Sequence, residues 1–224
     1  AKYDQNGNQQ WRTSSFGSAD DVTVHDIAAE ESTVYVAGGD RSSTGVGSAV
    51  LATFDPSGNR QSVDVRDPSG GEDSLTSLAV ANQSDAVFAG GTASIASQGA
   101  TYGLLWQYDS DGNRQSDWKV ETDGGPKVVG SAVSARPSGG AVFFGHTDGS
   151  IDGSENRGEG DGIAVAHDAS GSIQWVESFG TPEQDVIDDA IRIDGDWYVI
   201  GETEGALGDR DADDDGFSFV GRLL

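Results

Sequence analysis

One short segment occurs five times in this chain, and its spacing restricts the fold more than any other feature. It reads Ala1-Lys2-Tyr3-Asp4-Gln5-Asn6-Gly7-Asn8, then Ala52-Thr53-Phe54-Asp55-Pro56-Ser57-Gly58-Asn59, then Gln107-Tyr108-Asp109-Ser110-Asp111-Gly112-Asn113. It returns as Ala166-His167-Asp168-Ala169-Ser170-Gly171-Ser172 and closes, truncated, as Gly221-Arg222-Leu223-Leu224. The aligned residues Tyr3, Phe54, Tyr108, His167 and Leu223 are separated by 51, 54, 59 and 56 positions. A second marker keeps the same phase: Val34-Tyr35-Val36-Ala37-Gly38 recurs as Val87-Phe88-Ala89-Gly90, Val142-Phe143-Phe144-Gly145 and Tyr198-Val199-Ile200-Gly201. Periods of this length mean one supersecondary unit stacked on copies of itself.

Each period holds four strand-like runs separated by Gly, Asp, Ser and Asn clusters. In the last, Ile173–Phe179 alternates apolar and polar residues, followed by runs around Ala190–Ile193, Trp197–Ile200 and Phe217–Leu223. The Asp168-Ala169-Ser170-Gly171 sequence suits a tight hairpin with Gly at a positive φ. No segment has a sustained 3.6-residue period, so helix is not expected. Four strands per unit match a propeller blade, a sheet too thin to bury both faces unless its copies flank it. The expectation is one all-β domain over 1–224: a four-bladed β-propeller of four-stranded antiparallel blades. The repeats run approximately over 5–55, 56–109, 110–168 and 169–224. Residues 1–4 and 221–224 match the same strand, so the ring is expected to be latched by the N- and C-terminal strands, with 1–4 completing the last blade. The same match would serve to latch one subunit to the next, and a head-to-tail contact that does not close gives a filament.

Charge speaks to the surroundings. Formal net charge is -25, from 38 acidic and 13 basic residues, and Lys appears only at Lys2, Lys119 and Lys127. Such self-repulsion is relieved when salt near 1 M shortens the screening length to about 3 Å, so the composition reads as a halophile's surface. Nucleic acid and anionic membrane are excluded as partners because both repel it. There is no Cys, hence no disulfide framework. There is no apolar run of the ~20 residues that a spanning helix needs and no signal-peptide pattern. The chain opens at Ala1 rather than Met, as a mature form or a fragment would.

The chain resembles the bacterial and archaeal β-propeller units called SBBP repeats. Thr33-Val34-Tyr35-Val36-Ala37-Gly38, Ala1-Lys2-Tyr3-Asp4, Gly7-Asn8 with Trp11 and Phe16-Gly17, and Gly171 with Trp175 and Phe179-Gly180 match that pattern, whereas Ser62 and Ser116 stand where it has Trp. The resemblance implies a propeller of secreted or surface proteins and no particular activity. Asp4-x-x-Gly7-x-x-x-Trp11 and Asp168-x-x-Gly171-x-x-x-Trp175 are also similar to the blade motif of quinoprotein dehydrogenase propellers, where the Trp docks neighbouring blades; it is a structural motif and implies no cofactor.

The strongest local chemical signal is Asp209-Arg210-Asp211-Ala212-Asp213-Asp214-Asp215-Gly216. Alternating Asp with a following Gly can wrap oxygens around Ca²⁺. The bidentate Glu of an EF-hand would fall on Arg222, so that motif is rejected. Asp209, Asp211, Asp213 and Asp215 stay as a candidate Ca²⁺ loop, weighed against a solvated acidic surface. The equivalent loop one repeat earlier holds Asp148, Asp152, Glu155, Glu159 and Asp161, of which Asp148 and Asp152 are further metal candidates. His146 could join Asp148 on a metal, and His167 occupies an aromatic packing position. Asn82-Gln83-Ser84 is a glycosylation sequon. No nucleophile–base set or catalytic carboxylate pair can be singled out among so many Ser and Asp.

The expected function is therefore a non-enzymatic extracellular or cell-surface structural module of a halophilic archaeon. It is expected to self-associate as a homo-oligomer, filament or surface-layer-type subunit, or to act in adhesion, with cations as partners. The alternative is a propeller that binds glycans or small ligands, with or without hydrolysis.

Overall fold

The computed structural model describes residues 1–14, 16, 21–30, 32–41, 46–81, 84–206 and 216–223. Among them there is no helix, and the strands form five antiparallel sheets. A hairpin of β1 (Lys2–Tyr3) and β2 (Gln9–Trp11) comes first. Three four-stranded blades follow. The first blade is β3 (Asp21–Glu30), β4 (Thr33–Arg41), β5 (Gly47–Phe54) and β6 (Arg60–Arg66). The second is β7 (Asp73–Ala81), β8 (Ala86–Ile95), β9 (Ala100–Tyr108) and β10 (Arg114–Val120). The third is β11 (Val128–Ala135), β12 (Ala141–Thr147), β13 (Asp161–His167) and β14 (Ile173–Phe179). A last sheet has three strands, β15 (Asp185–Ile193), β16 (Asp196–Thr203) and β17 (Phe217–Leu223).

Register explains the second sequence marker. In every sheet with a first strand, the pairing between strands one and two slips by one residue, between Val24 and Asp26, Leu75 and Ser77, Gly130 and Ala132, and Ile187 and Asp189. This bulge bends the first strand and drives its backbone at the second. The residues opposite are Gly38, Gly91, Gly145 and Gly201. A Cβ on them would lie 2.0, 2.0, 1.9 and 1.9 Å from the carbonyl oxygens of Thr23, Ser74, Val129 and Val186. The glycine that ends the marker is thus a demand of close approach in three repeats, and in the second the demand falls on Gly91, one residue past the marker's Gly90.

The first sequence marker is a self-contained turn. Asp4, Asp55, Asp109 and Asp168 each use Oδ1 to accept the N–H groups two and four residues on, at 2.8–3.1 Å. Their Oδ2 atoms accept from Gln10, Gln61, Gln115 and Gln174. Gly7, Gly58, Gly112 and Gly171 take φ of 81–87° within it. The turn also docks blades. A Cβ on Gly58 would strike the Trp11 ring at 2.5 Å, one on Gly112 would strike Thr53, and one on Gly171 would strike Trp118. Where Ser116 replaces the expected Trp, Trp118 two positions along stacks on His167 instead, with ring centroids 5.8 Å apart.

The core lies between sheets. The first strand of each sheet packs across the inner strands of the one before: β7 on β3, β4 and β5; β11 on β7, β8 and β9; β15 on β11, β12 and β13. Alternation splits each second strand between two cores. Phe143 faces the second blade, with Leu105 and Phe88, while Val142 and Phe144 face the last sheet, with Ile187 and Val199. One element departs from expectation. Residues 1–4 do not complete the last sheet: β1 pairs with β2, and β17 ends its sheet as an unpaired edge among the described residues.

Two outcomes follow. Gly145→Ala should destabilise the protein by about 3 kcal/mol, as overpacking against unyielding backbone does; denaturation midpoints in molar salt measure it. His167 is held below the ordinary imidazole range, chiefly by burial, with its Nδ1 on the carbonyl of Gly171 at 2.9 Å. The native state therefore takes up that proton later than the unfolded chain. The stabilisation is full above pH 6.5 and is lost as pH falls through the depressed native value. His167→Phe should flatten the melting temperature across that window.

Candidate functional site

The blade stack has two ends, and the register identifies which side chains each presents. One cross-strand row of each four-stranded blade faces the following sheet, namely Asp26–Ala37–Leu51, Ser77–Gly90–Leu105 and Ala132–Phe144–Ala164, and Asp189–Ile200–Val220 is the equivalent fourth row in the last sheet. In the first three rows the second- and third-strand side chains Ala37, Leu51, Leu105, Phe144 and Ala164 are at most 1% exposed. In the fourth, Ile200 is 48% and Val220 77% exposed. These are core positions that no other sheet among the described residues covers.

The opposite end shows the complementary row. Leu78–Ala89–Trp106 and Val133–Phe143–Val165 face the preceding blade and are buried. Their counterpart in the first blade is Ile27–Val36–Ala52, and Ile27 is 65% exposed. Among the described residues this face is covered by Phe16, which packs with the buried Ala52, and at its outer part. The β1–β2 hairpin sits there through Trp11 Nε1, which donates to the Pro56 carbonyl at 2.9 Å, and through Lys2 Nζ, which donates to the same oxygen at 3.2 Å. Inside the hairpin runs a groove of about 390 Å³ lined by Trp11, Phe16, Val24, Ile27, Val36 and Phe54.

Polar contacts between blades cluster at the bulge. Asp26 Oδ2 accepts the Leu78 N–H of the next blade at 2.7 Å, and Ser77 Oγ accepts that of Val133 at 3.1 Å. The bulged residues Thr76 and Ser131 donate to the carbonyls of Gly130 and Ile187. Asp26 Oδ1 also takes the N–H of Ile27 at 2.7 Å, and Asp189 Oδ1 takes that of Ala190 at 2.8 Å. Asp189 thus repeats Asp26 at the open end.

The residues singled out from sequence lie elsewhere. Asp209, Asp211, Asp213, Asp215 and Asn82 fall outside the described residues. Asp148 Oδ1 accepts the Lys127 N–H at 2.8 Å, and Asp152 takes a φ of 49° in the turn before Gly153. His146 is half-buried, held below its usual range first by burial and then by Lys127, against the pull of Asp148 and Asp188, and its Nδ1 has no hydrogen-bond partner among the described residues. Among the described residues no group of three or more His, Asp or Glu comes together as a metal seat. The nearest approach is a pair that sequence reading did not isolate. Asp161 and Asp185 are buried on either side of Gly180, and a Cβ there would lie 2.6 Å from Asp161 Oδ1 and 2.7 Å from Asp185 Oδ2. Asp161 Oδ2 accepts from the Arg157 N–H and Ser178 Oγ, and Asp185 Oδ2 accepts from Thr181. Two carboxylates fall short of the six to eight oxygens Ca²⁺ takes. The alternation of each strand was the available signal for the end rows, but it gave no way to tell which apolar row lacked a cover.

No protein-family model matches the chain, and no curated protein matches it. Among solved structures it is similar to the β-propeller domain of the Trilobed protease from Pyrococcus furiosus, described as having an open velcro topology. The TM-score is 0.54 at 8% identity, over 93% of this chain and 56% of that one. The likeness shows the β-propeller fold; this chain spans little more than half of that domain.

Proposed function

We propose that the chain is a non-enzymatic structural module that works by self-association through the two end faces of its blade stack. The observation that carries this reading is the exposed row Asp189–Ile200–Val220, whose apolar members hold positions that are core in every other sheet. Ile200 and Val220 pair across β16 and β17; such adjoining exposed apolar side chains support an interaction surface here, and the groove over Ile27 and Val36 at the other end is its counterpart. In this reading the 224 residues supply four blade units, the fourth completed only when the ends meet. The acidic surface, with net charge -25, supports work in concentrated salt. The likeness of the repeats to SBBP units supports a place outside the cell or on its surface.

Light scattering and electron microscopy in about 1 M salt, where the screening length is about 3 Å, test it. Dimers, larger rings or filaments are expected, and a strictly monomeric particle would refute self-association. Dialysis into dilute buffer should lower the melting temperature, because unscreened carboxylates repel. A melting temperature indifferent to salt would remove the halophilic reading.

A further inference from the structure

We infer that a second copy of this chain seats its β1–β2 end on the last sheet, its β2 becoming the fourth strand of that sheet beside β17. The inference rests on the self-association reading and specifies its joint.

The two ends are complementary parts of one blade. Among the described residues the last sheet has strands one, two and three, and no strand pairs with the outer edge of β17. The hairpin at the other end has the place of strands three and four: Trp11 and the turn at Gly58 meet as an outer strand meets the next blade's turn elsewhere in the stack. What the hairpin lacks is an inner half, and the groove beside it is where that half would lie.

The repeat supplies the register. Strands three and four pair as His167↔Ile173 and Ala166↔Trp175 in the third blade, Tyr108↔Arg114 and Gln107↔Ser116 in the second, and Tyr3↔Gln9 and Lys2↔Trp11 in the hairpin. Leu223 aligns with Tyr3 and His167, so β17 would pair Leu223 with Gln9 and Arg222 with Trp11 of the second copy. β1 holds β2 through two residues only and would yield to β17, whose seven residues can extend the pairing past Trp11.

Three features of the ends then find partners. Asp189–Ile200–Val220 comes to face Ile27–Val36–Ala52, as Asp26–Ala37–Leu51 faces Leu78–Ala89–Trp106 between the first two blades. Gly7, which alone of the four turn glycines has none of the described residues near its Cβ position, comes over Trp175, as Gly58 sits on Trp11. The second carboxylate oxygen of Asp189 meets the first strand of the next blade where Asp26 meets that of Leu78.

The contact is head-to-tail, so repetition gives a ring or a fibre. Each chain carries a large negative charge, so the joint should tighten as salt rises.

Two exposed positions allow a decisive mixing experiment in molar salt. Val220→Asp blocks one end and Ile27→Asp the other, and both residues face solvent, so circular dichroism should match the parent. Each variant alone should be monomeric, and an equal mixture should form a one-to-one dimer through the single intact joint. If either variant alone still associates, the ends are not joined in this way, although self-association by another surface stands. If the parent chain is monomeric, both readings fall. Register is tested separately with Gln9→Cys and Leu223→Cys in one chain, which has no other cysteine. Oxidation should give covalent dimers and higher species. Monomers with an internal disulfide would mean that a chain closes on itself, and an absence of cross-linking would reject the register; either result overturns the proposal.

Discussion

A four-stranded sheet about one side chain thick on each face cannot shield itself from water, and the rest of this molecule follows from that shortage. Each blade keeps its alternation on both faces, so Phe143 and Phe144, adjacent in sequence, belong to different cores. Hydrophobic burial is therefore a property of the joints between sheets. With about 25 cal/mol gained per Å² of apolar surface removed from water, a blade without neighbours would forfeit much of what orders it. Position along the stack determines whether the same row of residues is core or surface.

The joints are held in register by features that cost little sequence. The bulges at Thr76 and Ser131 each offer a side chain for a cross-blade hydrogen bond, and the glycine opposite each bulge removes the Cβ that would block the approach. The Asp turn satisfies its own N–H groups, so the turn is shaped before it docks. The Asp4 and Asp55 carboxyls are held below their usual range, first by the side chains of Asn8 and Asn59, and Asp168 by Ser170. Asn8, Asn59 and Asn113 also donate to Oδ2 of their Asp, and Ser170 donates to Oδ1 of Asp168, so different residues at the other turn positions feed the same carboxylate.

The blades were legible in the sequence because both repeated motifs are backbone requirements: a left-handed turn at Gly58, Gly112 and Gly171, and a Cβ-free approach at Gly38, Gly91, Gly145 and Gly201. The all-β class and the propeller stacking follow from those. The fate of the terminal strand was not legible. Tyr3 and Leu223 carry the same local signal, and local signal states which strand a segment resembles, not which sheet edge it finds. Ile200 and Val220 were equally opaque, since an apolar residue on an alternating strand reads the same with a neighbour or without one. The carboxylates were hardest of all. Among 38 acidic residues, spacing drew attention to the run at 209–215, whereas Asp161 and Asp185 are brought together by the parallel bridge Gly160↔Gln184 between neighbouring sheets, which no local pattern announces.

The bulge separates two kinds of information. Its geometry is the same in all four repeats, yet its residue is His25, Thr76, Ser131 and then Asp188, a base, two hydroxyls and an acid. The scaffold asks only that an extra residue be inserted there, not what that residue is. Descendants of one ancestral unit could thus drift apart chemically at this inner position while remaining interchangeable as building blocks. A molecule made in this way can acquire an asymmetric interior without ever altering the parts that hold it together.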